Sequence, residues 1–287
     1  MLYSRESYYD NRKYVFNVEK ETRRCIEWIK ELFEYNPGFI GKNAIIGMSG
    51  GKDSTIAAAL IAKAIGPERV IGVAMPDDNQ GINEADKICE HLGIGYLYMP
   101  IGDITSGFDR MWYWLGDEDF KWSNQSLQNI PPRIRMTMLY AVSQTYNGMV
   151  VNTCNLSEDM IGYSTIFGDL AGAFSPIKEF TVTELLAIGD YLGLPYEWVH
   201  KVPDDGLPHS CSDEEKFGFS YAVLDKYIRE GVIPIGFNGE SVEEKIDDMA
   251  KRNRFKNEIV RIPSYQPWVF EHVYKDYVDC EQNDGVH

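Results

Sequence analysis

Short apolar runs alternate with helically spaced apolar positions along much of the chain, and that alternation sets the expected fold. Residues 16–35 carry Val18, Ile26, Ile29, Leu32 and Phe33 among charges at the spacing of one helix face. Asn36-Pro37-Gly38 ends that helix. Residues 44–48 are apolar throughout, which suits a strand covered on both faces. A glycine-rich turn and an apolar helix follow, closed by Gly66-Pro67. Residues 69–75 predict a second strand, and 82–92 a helix with Ile82, Ala85, Ile88, Cys89 and Leu92 on one side. A third strand is predicted over 96–101, and a helix over 104–115 with Phe108, Met111, Trp112 and Leu115 at helical spacing. Pro131-Pro132 reads as the opening of a helix that continues over 133–146. Residues 149–153 form the fourth strand, Thr181 and Glu184 the capping box of a helix over 181–192, and 214–229 a further helix. The predicted fold class is α/β: a doubly wound parallel sheet of about five strands, helices on both faces, ligands at the carboxyl ends of the strands.

Composition narrows the function classes. At 287 residues the chain suits one α/β domain over 1–287, with an N-terminal helical extension and a C-terminal one. Its net charge of −16, from 28 basic and 44 acidic residues, argues against a nucleic-acid surface and serves solubility. Cys25, Cys89, Cys154, Cys211 and Cys280 form no C-x-x-C pair, so neither a zinc ribbon nor a disulfide framework is expected. The N-terminus has no signal-type apolar run and no segment is long and apolar enough for a bilayer. A soluble cytoplasmic protein is expected, with no membrane partner.

The candidate chemistry lies at 49–54, SGGKDS, between the first central strand and its helix. Two glycines allow a tight turn whose N–H groups approach an anion, Ser49 and Ser54 add hydroxyls, and the helix points its positive end at the same spot. The common nucleotide loop, G-x-x-x-x-G-K-[ST], fails at Ile46 and at Asp53. An acid beside a phosphate requires a cation between them, so Asp53 is read as a Mg²⁺ ligand facing ATP phosphates. Arg133 and Arg135, taken as lying near a helix start, would oppose the helix dipole and call for an acidic partner, either a bound phosphate or carboxylate or a surface salt bridge.

The S-G-G-x-D-S turn in its strand-turn-helix setting resembles the N-type ATP pyrophosphatases. Within them the chain resembles ammonia-dependent NAD synthetase over about 44–229. The landmarks are SGGKDST at 49–55, Asn129, Arg133 and Arg135 in N-x-x-x-R-x-R, TCNLSE at 153–158, FGD at 167–169, KVPDDGL at 201–207 and SDEEKFGFSY at 212–221. The resemblance implies that Gly47, Met48, Ser49, Gly50, Gly51, Lys52, Asp53 and Ser54 grip ATP phosphates and that Thr153 contacts the nucleotide. It implies that Asp53 and Glu158 hold Mg²⁺, with Lys52 assisting catalysis, and that Arg133, Asp169 and Lys256 bind deamido-NAD. It also implies a homodimer, with the aromatic helices near Trp112 and Tyr140 at its interface.

The chemistry so implied activates the nicotinate carboxylate by transfer of AMP, after which ammonia displaces AMP to give NAD. No nucleophilic side chain is needed, so the five histidines are read as structural or solvated. Four positions depart from the family pattern: Ile166 and Ala173, where a lysine and an acid usually meet deamido-NAD, and Val182 and Asp204, where a lysine and a hydroxyl usually meet ATP. Two alternatives stand beside this reading. One is a related ATP pyrophosphatase that adenylates another carboxylate; the other is a nucleotide-binding protein that has lost turnover.

Overall fold

The structure is a computed structural model that describes residues 12–77, 84–111, 122–201, 213–233 and 239–272. Its central sheet has four parallel strands, β2 (Asn43–Gly47), β3 (Val70–Ala74), β4 (Gly95–Tyr98) and β5 (Gly148–Val150), in the order β4-β3-β2-β5. A short β1 (Arg12–Tyr14) pairs antiparallel with β6 (Phe270–His272), apart from that sheet. The chain runs outward from β2 through β3 to β4, then returns to add β5 on the other side of β2. This reversal puts the switch point of the sheet between the carboxyl ends of β2 and β5, where doubly wound folds bind ligands.

The central sheet has four strands among the described residues where about five were expected. Beyond β5 the described residues make two isolated parallel bridges, Val151 to Phe174 and Ser175 to Ser264, rather than a fifth ladder. Gly172 and Pro176 flank Phe174 and Ser175, and residues of both types weaken a ladder.

Both faces of the sheet are covered. Ala44 and Ile46 pack with α1 (Val18–Tyr35), α2 (Lys52–Ile65), α3 (Ala85–Leu92) and α7 (Val182–Tyr191), while Ile45 packs with Ile134, Leu139 and Val142 of α5 (Asn124–Thr145). Adjacent residues of β2 thus feed opposite cores, as strand pleating dictates. Gly72 of β3 allows a close approach: a Cβ there would lie 2.6 Å from Cys89 Sγ and 2.7 Å from Met48 Cγ. A third cluster joins α6 (Leu156–Ile161) and α7 to α10 (Tyr221–Glu230) and α11 (Gly239–Ile259) through Ile161, Val182, Leu224, Tyr227 and Ile246.

Three helices differ from expectation. α5 starts at Asn124, with the Ser123 hydroxyl accepting from Ser126 N at 3.1 Å, so Pro131 and Pro132 lie inside the helix rather than at its opening. The predicted helix over 214–229 is two, α9 (Asp213–Phe217) and α10, because Gly218 turns at φ +76° and the Ser220 hydroxyl starts a new helix. α11 had no visible signal, since charge surrounds it and it buries little beyond Ile246. α4 (Gly102–Met111) and α8 (Tyr196–Val199) complete the set of named helices. The capping box at Thr181 is present, and Glu184 also accepts from Arg229 Nη2 at 2.7 Å and from Tyr14 OH at 3.1 Å. No helix among the described residues is long and apolar enough to cross a membrane. Trp112, Leu115, Asp204, Cys211, Cys280 and the loop at 202–212 lie outside the described residues.

Candidate active site

Met48, Ser49, Gly50 and Gly51 carry the chain from β2 to α2. Gly50 sits at φ +77°, a conformation glycine adopts without steric cost. The turn holds its own shape: Ser49 Oγ accepts from Gly51 N at 3.2 Å and lies 3.3 Å from Ser54 Oγ, and the Thr55 hydroxyl donates to Gly51 O at 2.8 Å. Gly51 caps α2 with no side-chain acceptor, the arrangement in which a phosphate takes that role for the first-turn N–H groups.

Lys52 and Asp53 begin α2 at the switch point. Lys52 Nζ lies 3.0 Å from Asp53 Oδ2, and Asn155 Nδ2 donates to Asp53 Oδ1 at 3.3 Å. Asn155 is also the N-cap of α6, its Oδ1 accepting from Glu158 N at 3.0 Å. One buried amide therefore links the helix bearing Asp53 to the helix bearing Glu158. Burial first, and next the charge of Asp53, push the Glu158 carboxyl well above its ordinary range, with Lys52 opposing. A carboxyl raised by burial and by a neighbouring carboxylate, beside a phosphate-type loop, suits a hard divalent cation shared with phosphates. Among the described residues no three His, Cys, Asp or Glu side chains gather into an all-protein metal cage.

α6 is braced from outside. Ser157 Oγ donates to Asp225 Oδ1 at 2.5 Å, and the same carboxylate accepts from Thr183 N at 2.7 Å. Asp159 pairs with Lys178, and Asn257 Nδ2 donates to Asp159 O at 3.1 Å. Asn253 Nδ2 donates to Ile161 O at 2.9 Å. Lys256 Nζ donates to Gly162 O at 2.6 Å and Ser164 O at 2.8 Å.

The N-x-x-x-R spacing has a physical meaning here, because residues four apart share a helix face. Asn129 Oδ1 accepts from Thr165 Oγ1 at 2.7 Å, and Arg133 Nε donates to Ile166 O at 3.2 Å, so one face of α5 holds the loop before Asp169. Thr165 N donates to Asp169 Oδ1 at 2.8 Å; burial raises the Asp169 carboxyl and that hydrogen bond opposes the rise. Arg135 Nε donates to Met75 O at 2.9 Å, with Asp77 and Asp169 as its acidic neighbours. Neither arginine is at a helix start, so the dipole argument does not apply; carbonyls and acids of the sheet rim meet their charge. Thr153 lies half-buried between β5 and α6. Asn155, Thr165, Lys178 and Asn257 were not singled out from the sequence, although Asn155 stood inside the TCNLSE run as a good N-cap type.

A glycine-rich phosphate turn and paired carboxylates at the switch point of a doubly wound sheet define a nucleotide-using enzyme of the ATP pyrophosphatase class. The profile of the NAD synthase family matches residues 21–260, and the chain belongs to that family. Its activity is that of an ammonia-dependent NAD synthetase. It is 31% identical over 264 residues to the NH3-dependent NAD+ synthetase of Pyrococcus horikoshii, covering 88% of this chain and 97% of that one. The solved NH3-dependent NAD synthetase of Campylobacter jejuni superposes with a TM-score of 0.64 at 27% identity, covering 88% of this chain and all of that one. The NMN synthetase of Francisella tularensis superposes with a TM-score of 0.73 at 25% identity, covering 87% of this chain and all of that one.

Proposed function

We propose that the chain forms the amide of NAD from deamido-NAD, ATP and ammonia, with Mg²⁺ held by Asp53 and Glu158. The observation that carries this reading is the single side chain of Asn155, tied to Asp53 on one side and to the Glu158 amide on the other. When bound, Mg²⁺ would draw charge from the ATP phosphates and make pyrophosphate a better leaving group.

The protein's own groups do the rest. Residues 47–54 and Thr153 cradle the nucleotide, the loop N–H groups donate to its phosphate oxygens, and Lys52 adds a cation at the phosphates. Arg133, Asp169 and Lys256 border the acceptor and align its carboxylate with the α-phosphate. A carboxylate oxygen bonds to the α-phosphorus as the bond to pyrophosphate breaks. Ammonia then bonds to the activated carbonyl carbon, AMP departs with that oxygen, and the ammonium proton passes to solvent. A homodimer would use the groove of about 460 Å³ beside α4 and α5, lined by Ile104, Phe108, Ile130 and Met138. Sedimentation velocity at micromolar concentration would read one species of twice the chain mass.

A second acceptor is favoured by a specific observation. The likeness to an NMN synthetase, together with Ile166 and Ala173 in place of the acceptor-binding pair expected by resemblance, makes nicotinic acid mononucleotide the competing substrate. Steady-state rates with each acceptor, at saturating ATP and ammonium, decide between them. A higher kcat/KM for deamido-NAD makes it the preferred acceptor, and a higher kcat/KM for the mononucleotide gives that place to the mononucleotide.

A further inference from the structure

α6 is six residues long, and a helix of that length has little stability of its own, so contacts with other elements decide where it lies. Those contacts fall on the residues just ahead of Glu158. Asn155 is tied to Asp53, Leu156 N donates to Phe180 O at 2.9 Å, and the Ser157 hydroxyl donates to Asp225 Oδ1 at 2.5 Å. Ser157 Oγ also accepts from Val182 N at 3.0 Å, and Asp225 Oδ2 accepts from Thr183 N at 2.7 Å. A single carboxylate on α10 therefore locks the first turn of α6 to the first turn of α7.

A carboxylate is an expensive group for a joint that only packs. Asp225 is 3% exposed and Ser157 is fully enclosed, and a buried charge costs more to desolvate than a neutral amide or hydroxyl. Arg229, one turn further along α10, directs its Nε and Nη2 to Glu184 and to Glu179 O. What the carboxylate supplies is two acceptors. Ser157 O–H and Thr183 N–H are both donors, and each meets its own oxygen of Asp225; an amide in that place would turn a donor on one of them.

We infer that Asp225 is a positioning residue for the amidation, acting through Ser157 to hold Glu158 at its spacing from Asp53. The inference rests on the reading under Proposed function, in which those two carboxylates share a metal ion. Asn155 and Ser157, two positions apart, face different sides, so each fixes a direction that the other leaves open. Released from Asp225, the first turn of α6 shifts on its remaining holds and carries Glu158 with it. A displacement of about 1 Å in a reacting constellation costs up to about 100-fold in rate, so the loss falls on kcat.

The test compares the wild-type protein with Asp225→Asn, Ser157→Ala, the double variant and Tyr227→Phe. The last removes a hydrogen bond of 2.6 Å from the same helix to Asp247 of α11 and serves as the control for packing. Steady-state kinetics use ATP, Mg²⁺, ammonium and the acceptor that the wild-type protein prefers, and amide hydrogen exchange is followed in the ligand-free proteins. Asp225→Asn and Ser157→Ala should each lower kcat about tenfold or more with the acceptor KM within about twofold, and the double variant should fall no further than the slower single one. Exchange should quicken over 155–161 in these three and stay unchanged over 56–61 of α2, while Tyr227→Phe keeps the wild-type kcat. Wild-type kcat in the single variants would overturn the inference, as would losses that multiply in the double variant or an equal loss in Tyr227→Phe. Should Asp225→Asn fail to fold, Ser157→Ala decides by the same two readouts. A wild-type protein that amidates neither acceptor would sink the functional reading instead; exchange over 155–161 would then still show whether Asp225 holds α6, and no change there would overturn this inference too.

Discussion

The amide nitrogen of Asn155 lies 3.3 Å from Asp53 Oδ1, and this contact joins the two halves of the sheet's switch point. Because the same side chain caps α6 in front of Glu158, Asn155 sets the spacing of both candidate metal carboxylates. Asn155→Ala should lower kcat by about 10- to 100-fold, as expected for a partner behind a metal ligand, while losing about 1 kcal/mol of stability as a cap. Asn155→Asp keeps the cap but sets a like charge against Asp53. It should retain the melting temperature and lose turnover; wild-type turnover by that variant would contradict the linking role.

Lys178 and Asp159 form a buried pair behind the same helix. Lys178→Met leaves a buried carboxylate without its cation and should cost about 3–5 kcal/mol, measured by urea denaturation; Lys178→Met with Asp159→Asn should recover most of it. The pH dependence has a definite sign. Burial already raises the Asp159 carboxyl and Lys178 opposes that rise, so removing the lysine raises it further. The folded state then holds the proton where the unfolded state has lost it, so stability falls as pH rises through this window. The deficit of Lys178→Met should therefore be smaller near the acid end of its stable range than above neutrality.

Arg133 donates to the Ile166 carbonyl through Nε, and the proposed acceptor role would use its terminal nitrogens. Arg133→Met should raise the acceptor KM by about tenfold or more with the ATP KM little changed, since hydrogen bonds to charged groups contribute about 1.5–3 kcal/mol. Arg133→Lys should recover only part, because a point charge cannot both hold the carbonyl and present a fork. Equal KM values for acceptor and ATP effects would contradict the assignment.

Burial pushes the Cys89 thiol up to about 11 and raises Cys25 and Cys154 as well. At pH 8 these thiols carry little thiolate and are enclosed. Peptide mapping after iodoacetamide treatment should find all three unmodified in the native protein and modified after unfolding. Rapid native labelling of Cys154, whose Sγ lies 3.2 Å from Asp169 O, would mean the site opens more than this packing allows.

The strand-turn-helix at 43–65 was legible because its signals are local: an apolar run, two glycines, and an apolar helix. The alternation of later elements also gave the parallel sheet and its ligand rim. Legibility failed where the cause is tertiary. Pro131 and Pro132 look like a helix start, yet the Ser123 hydroxyl begins α5 earlier, and Pro132 packs on Gly168. Gly218 lies inside the helix expected over 214–229, and its positive φ splits that helix. Asp53 was singled out from residue type, and Lys52 and Glu158 from the family resemblance; the structure sets Lys52 beside Asp53 and ties Asp53 to the cap of the helix bearing Glu158. Asn155, Lys178 and Asn257 act by reaching across 79 to 102 positions of sequence, and no local pattern announces such reach.

The central claim is that the acceptor carboxylate is activated by bonding to the α-phosphorus of ATP. Deamido-NAD labelled with ¹⁸O in its carboxylate, incubated with the protein, ATP, Mg²⁺ and ammonium, tests this directly by mass spectrometry of the products. The account predicts NAD together with AMP that carries one ¹⁸O from the carboxylate, and loss of both with Asp53→Ala although that variant remains folded. Unlabelled AMP, or ADP and phosphate in its place, would contradict it.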